Sequence, residues 1–199
     1  MGLKVHNLTK RFDEVVALEN VNLTFDSHEI FSITGPSGAG KSTILRLLAG
    51  EEVPTGGTVQ IVKDDKGLSP IESTAIAFSS FQIPHKNPDS SKGNSASYVL
   101  FDDPFFRLAE TARREAYDEF RLLHSRFGGT FIVATDSGTD AVAISDRIGV
   151  LHEGSLRQCG RPSEILDSPR DIFVAEFFGR PAINVLPGIL EKDGQAILV

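Results

Sequence analysis

The spacing of apolar residues along the chain switches between two repeats, and the switches divide it into elements. Leu3–Leu8 and Val15–Phe25 read as strands, the second with Val21, Leu23 and Phe25 on one face. Ile30-Phe31-Ser32-Ile33 is a short apolar run of strand length. From Lys41 to Ala49 the repeat becomes helical: Ile44, Leu45, Leu47 and Leu48 are the apolar positions, and Gly50 supplies the stop. Pro54-Thr55-Gly56-Gly57 predicts a turn, with strands at Thr58–Val62 and Thr74–Phe78. Tyr98–Phe101 is a compact apolar strand. Leu108, Ala112, Ala116, Phe120, Leu123 and Phe127 follow at helical spacing, supported by Glu110 and Arg114 one turn apart, and stop at Gly128-Gly129. Strand Thr130–Thr135, a helix through Ala141–Ser145, strands Ile148–Leu151 and Ser155–Gln158, and a helix near Asp171–Phe178 complete the order. Alternating strands and helices predict an α/β fold with a mainly parallel sheet covered on both faces. Residues 84–97 are rich in Pro, Ser, Asn and Gly and predict a polar loop.

At 199 residues the chain is long enough for one well-buried core. Its net charge of −7 is spread without a basic block, which argues against nucleic acid as a partner. One cysteine, Cys159, excludes an internal disulfide framework and suits a reducing compartment. The N-terminus carries no signal-peptide core, His6 stands where myristoylation wants Ser or Thr, and no apolar run reaches bilayer length. These features predict a cytoplasmic protein without a transmembrane segment and with at most peripheral membrane contact. The five histidines show no metal-ligand spacing.

Chemistry enters after the Ile30–Ile33 run. Gly35-Pro36-Ser37-Gly38-Ala39-Gly40-Lys41-Ser42-Thr43 fills every position of G-x-x-x-x-G-K-[ST], between a strand and a helix. In that context backbone N–H groups wrap a phosphate chain, Lys41 reaches the outer phosphates and the Ser42 hydroxyl is placed to ligate Mg²⁺. ATP with Mg²⁺ is the predicted ligand. A buried strand ending in an acid is the partner such a loop needs, so Asp102 is a candidate Mg²⁺ holder through water and Asp103 a candidate to orient an attacking water. The competing reading is that Asp102-Asp103-Pro104 caps the helix that follows.

These motifs together resemble the nucleotide-binding subunit of an ATP-binding cassette importer of the sugar and polyamine type, over nearly every segment from Leu3 to Gly179. Lys10-Arg11-Phe12 is similar to the stretch carrying the aromatic that stacks on adenine, which would be Phe12. Leu47-Leu48-Ala49-Gly50 with Pro54–Gly57, Asp146–Gly154, Pro162-Ser163-Glu164-Ile165 and Phe173–Gly179 resemble later parts of the same family. The resemblance implies a P-loop ATPase core with an antiparallel N-terminal β subdomain. It implies one nucleotide-binding domain over residues 1–179 and a remnant of a C-terminal regulatory domain over 180–199.

Departures from the family pattern are as informative. A helical subdomain with the L-S-G-G-Q signature belongs between the glutamine loop and the strand ending in Asp; here residues 79–97 stand there instead. Ser79 or Gln82 takes the glutamine-loop position, and Gln82 is the candidate third metal contact. Asp103 replaces the catalytic Glu, Ala109 the D-loop Asp, and Asp136 the switch His. Binding parts are kept and hydrolysis parts are eroded. Asp136 has two readings: it caps the helix after Ser137, or it joins Asp102 and Asp103 in an acidic cluster that holds divalent metal at the terminal phosphate.

The leading expectation is a minimal ATPase that hydrolyses Mg·ATP slowly. Lacking the signature, it would not form the head-to-tail homodimer with a copy of itself, and a complete subunit of the same family is the partner that would supply one. The alternatives are a non-enzymatic sensor or partner subunit governed by its ATP/ADP state, and a metal-dependent phosphohydrolase or phosphotransferase. The last is disfavoured because no arginine-bearing lid is visible.

Overall fold

The computed structural model describes residues 2–63, 67–70, 75–78, 98–186, 191–193 and 196–198, with side chains over 2–60 and 98–186. The expected loop at 84–97, the positions Ser79 and Gln82, and Thr74 at the start of one expected strand lie outside the described residues.

Two sheets organise the described chain. Strands β1 (Gly2–Phe12), β2 (Val15–Phe25), β4 (Gly56–Lys63) and β5 (Gly67–Pro70) form an antiparallel sheet in the order β2-β1-β4-β5, and β3 (Ile30–Thr34) enters the second sheet between them in sequence. That second sheet also takes β6 (Ala75–Phe78), β7 (Tyr98–Asp102), β8 (Thr130–Thr135), β9 (Arg147–His152) and β10 (Ser155–Gly160), in the order β10-β9-β3-β8-β7-β6. All its neighbours are parallel except β10, which returns antiparallel on β9. Helix α1 (Lys41–Ala49) follows β3, α2 (Glu110–Phe127) separates β7 from β8, α3 (Gly138–Ile144) follows β8, and α4 (Pro162–Asp167) and α5 (Ile172–Phe178) follow β10. A further hairpin pairs β11 (Glu191–Asp193) with β12 (Ala196–Leu198).

The central strands are buried on both faces, and strict alternation deals their residues to two cores. Phe31, Ile33, Leu100, Ile132 and Ala134 pack with Ile44, Leu45, Leu47 and Leu48 of α1 and with Leu3, Val5, Leu8, Val21 and Phe25 of the antiparallel sheet. Ile30, Val99, Phe101, Phe131 and Val133 face the other way, onto Phe105 and onto Ala116 and Phe120 of α2. Phe120 meets Phe101 and Phe131 edge-on at 4.9 and 5.3 Å between ring centroids, a favoured aromatic geometry. A third cluster seats α3, α4 and α5 on Ile148 and Val150 of β9. Continuous apolar runs such as Tyr98–Phe101 hide this division, because period-2 alternation is invisible where both faces are apolar.

Elements read from periodicity are present, about half of them longer by one to five residues. Helix α4 was not among the expected elements, although Pro162 at its first turn and Glu164, which accepts the Arg161 N–H at 2.9 Å, are start signals. The charge pair expected between Glu110 and Arg114 is made instead by Arg113, at 3.5 Å from the exposed Glu110.

Candidate phosphate site

The loop between β3 and α1 is held from both sides before any ligand is considered. A Cβ on Gly35 (φ +148°) would lie 2.0 Å from the Leu151 carbonyl oxygen of β9, and one on Gly40 (φ +102°) 2.6 Å from the Ala17 carbonyl oxygen of β2. Packing therefore excludes any side chain at either position, independently of what the loop binds. The Gly154 N–H donates to Ala39 O at 3.1 Å, tying the loop to the β9–β10 turn. Gly40 stands at the N-cap of α1 with no side-chain cap, and the first turn has no acid. The helix's leading N–H groups and its positive dipole end are thus left for an anion. Ser37 and Gly38 are exposed at the tip, and Pro36, Ser42 and Thr43 are half-buried.

Lys41 is 7% exposed, and all three ammonium donors have partners: Gly35 O at 2.9 Å, Pro36 O at 2.8 Å, and the carboxylate of Asp136. Ser42 Oγ donates to Asp102 Oδ1 at 3.2 Å, so the loop hydroxyl and the acid at the end of β7 are neighbours. Asp102 and Ser42 fit a hard cation by chemistry: both offer oxygen, one of them charged.

Asp103, one residue on, takes the left-handed region (φ 49°) with its N–H bonded to Ala134 O at 2.8 Å. Its carboxylate accepts the Thr135 hydroxyl at 3.2 Å. Burial pushes the Asp103 carboxyl above the usual range, and the charges of Asp136, Asp140 and Asp102 push the same way against the Thr135 hydrogen bond. The Thr135 Oγ1 also accepts the Ser137 N–H at 3.1 Å, and the buried Thr34 hydroxyl donates to Thr135 O at 2.9 Å, so β3, β7 and the β8–α3 turn meet at Thr135.

Both competing helix-cap readings are overturned. Helix α2 starts at Glu110, behind a turn over 104–107 and with Ala109 as its N-cap residue, so Asp102 and Asp103 lie too far upstream to cap it. Ser137 caps α3 by accepting the Asp140 N–H at 3.2 Å, which leaves Asp136 free of that role. The expected three-acid metal cluster is also not assembled. Among the described residues no three His, Cys, Asp or Glu side chains converge as a metal-binding set, because Asp136 turns to Lys41 instead. Gln82 lies outside the described residues.

Behind Asp136 lies a network not anticipated from the sequence. Asp140, 1% exposed, receives Arg113 Nη1 on both oxygens at 2.6 and 2.7 Å and the Tyr117 hydroxyl at 2.6 Å. Arg113 and Tyr117 are one turn apart on α2; their spacing was a legible signal, but the acid they share lies 23 and 27 residues away. Phe12, at the end of β1, is 39% exposed with the Lys10 ammonium 4.7 Å from its ring centre. Lys10 is fixed by Glu52 Oε2 at 2.7 Å and Val53 O at 2.9 Å, so Phe12 presents a braced aromatic surface.

The ABC transporter family profile matches residues 18–135, more than half of the chain. The chain belongs to the ABC transporter family. Proteins of this family bind ATP with Mg²⁺. It is 30% identical to the spermidine/putrescine import ATP-binding protein PotA of Protochlamydia amoebophila, over 98% of this chain and 66% of that one. It is also 30% identical to the glucose import ATP-binding protein GlcV of Saccharolobus solfataricus, over 97% and 72%. The chain spans about two thirds of the length of the curated relatives it matches, 66% and 63% for two of them. The PotA alignment extends over 249 positions although this chain has 199 residues, so at least fifty positions of that relative face gaps here. An ATP-binding cassette of an ABC transporter in its ADP conformation superposes with a TM-score of 0.68 at 14% identity, covering 87% of this chain and 98% of that one. This last likeness concerns the fold. Among the described residues no helix is long and apolar enough to cross a membrane.

Proposed function

We propose that this ABC protein is a minimal Mg·ATP-binding ATPase whose turnover is slow. The observation that carries the reading is the Ser42 Oγ–Asp102 Oδ1 contact at 3.2 Å beside the buried Lys41, the juxtaposition of hydroxyl, acid and ammonium that a metal-bridged phosphate chain needs. In this reading the N–H groups of residues 38–43 hold the phosphates, Ser42 and Asp102 would hold Mg²⁺, and Phe12 stacks on the base. Mg²⁺ supplies charge neutralisation at the outer phosphates. Asp103 orients the attacking water, and its raised proton affinity suits acceptance of a proton from that water.

Slow turnover follows from the short stretch between β6 and β7. Nineteen residues, 79–97, stand where the family places its helical subdomain and signature. With no signature to close over the terminal phosphate of a second copy, the rate resembles unassisted P-loop proteins, roughly 10⁻⁴–10⁻² s⁻¹, and does not rise with protein concentration. A complete subunit of the family is the partner that would complete the site. The relatives named above import polyamines or glucose; on this reading the present chain supplies a nucleotide site and does not itself drive import. Titration with ATP and ADP, with and without Mg²⁺, followed by phosphate release on the same sample, tests the reading. Saturable Mg·ATP binding with slow steady release supports it. A specific rate climbing steeply with concentration would show that homodimers form a competent site. Binding without release would favour a nucleotide-governed sensor.

A further inference from the structure

We propose that Asp136 occupies the terminal-phosphate position at Lys41 and makes the metal-free protein select a nucleoside diphosphate over a triphosphate. The inference rests on the reading of residues 35–43 as the nucleotide site. An ammonium has three donors, and here they are spent on Gly35 O, Pro36 O and the Asp136 carboxylate. The two carbonyls belong to a loop wedged between β2 and β9, so they stay. Asp136 is the replaceable partner: its side chain is 51% exposed, and it sits between β8 and α3 on the wall of a cavity of about 310 Å³ shared with Ser137, Phe106 and Arg180. A carboxylate oxygen and a phosphate oxygen offer the same thing to Lys41, a charged acceptor. The side chain that serves the outer phosphates in such loops is already holding an anion of its own.

A diphosphate lacks the γ-phosphate and its charge, so its β-phosphate can share the Lys41 ammonium with Asp136. A triphosphate has to strip Asp136 from Lys41 and bring further negative charge towards Asp102, Asp103 and the displaced Asp136. A cation held by Ser42 and Asp102 offsets that charge, so the triphosphate competes well only with metal present. Asp136 is thereby a specificity residue: it makes triphosphate binding conditional on the cation.

Isothermal titration of the whole chain with ADP and with ATP, in chelator and then in Mg²⁺, tests this on the parent and on Asp136→Asn and Asp136→Ser. In chelator the parent is expected to bind ADP more tightly than ATP by up to roughly fivefold, the scale of breaking a part-exposed ion pair. Mg²⁺ narrows or reverses that ratio. Both variants lose most of the preference through tighter ATP binding, with ADP little changed. An unchanged ADP/ATP ratio in both variants, or a parent that favours ATP in chelator, overturns the role of Asp136 and leaves the nucleotide site standing. Failure of the site itself looks different: neither nucleotide binds the parent, or Lys41→Ala binds both as well as the parent does, and the inference falls with it.

Discussion

The two halves of the phosphate site are built to different standards. The half made by β3, its loop and α1 is over-determined: Gly35 and Gly40 are pinned by carbonyls of neighbouring strands, Lys41 is buried, and four apolar residues of α1 lock into the larger core. The half made by the ends of β7 and β8 is lightly held. Among the described residues, Asp102 and Asp103 each rest on one side-chain hydrogen bond of 3.2 Å, and Asp136 on one ion pair at the rim. Groups fixed by packing can bind but hardly change without unfolding, whereas groups fixed by single polar contacts can be exchanged at little cost to the fold. The residues expected to hold the phosphates lie in the first half, and Asp103 and Asp136, expected as departures from the family pattern, fall in the second beside Asp102.

Substitutions on either side sharpen the contrast. Lys41→Ala removes the charge facing the outer phosphates and should abolish measurable ATP affinity by calorimetry; unchanged affinity would mean that the loop is not the site. Gly35→Ala tests whether this half is held by packing rather than by ligand. A Cβ 2.0 Å from Leu151 O at φ +148° should cost about 2–4 kcal/mol in urea unfolding of the ligand-free protein. A loss below about 0.5 kcal/mol, the range of ordinary surface changes, would break the claim of over-determination.

Phe12→Ala should weaken nucleotide binding by about 1–3 kcal/mol and loosen discrimination between purine and pyrimidine triphosphates. Unchanged nucleotide affinity in Phe12→Ala would remove Phe12 from the site.

The lightly held half gives the smallest effect on stability. Because the folded state raises the Asp103 pKa, that group binds its proton more tightly folded than unfolded. Stability from this group is therefore greatest at acid pH, below the usual value of 3.8, and declines as pH rises through the raised folded value. Asp103→Asn should erase that slope, so the variant gains on the parent as pH rises to neutral, by less than about 1 kcal/mol since the group is only half-buried. Thermal unfolding of both proteins across pH 3–7 measures the difference, and parallel curves would remove the buried-acid account. In the same variant phosphate release should fall while ATP affinity is nearly kept.

Most of the fold was legible because its signals are local. Helical spacing from Ile44 to Leu48 with Gly50 behind it, and the run Thr130–Thr135, specify their elements through contacts within a turn or along one strand. The loop motif was legible for the same reason: nine consecutive residues carry the cradle, the lysine and the hydroxyl. What tertiary structure decided are the relations between distant residues. Local preference left Asp136 equally suited to cap a helix or to face a phosphate; Ser137 took the cap, and the parallel pairing of β3 with β8 brought Asp136 to Lys41. Which face Val99 or Leu100 would take, why Gly35 tolerates no side chain, and how Arg113 finds Asp140 depend on strand order. Strand order is set by burial summed over the whole core, a quantity that no window of the chain contains.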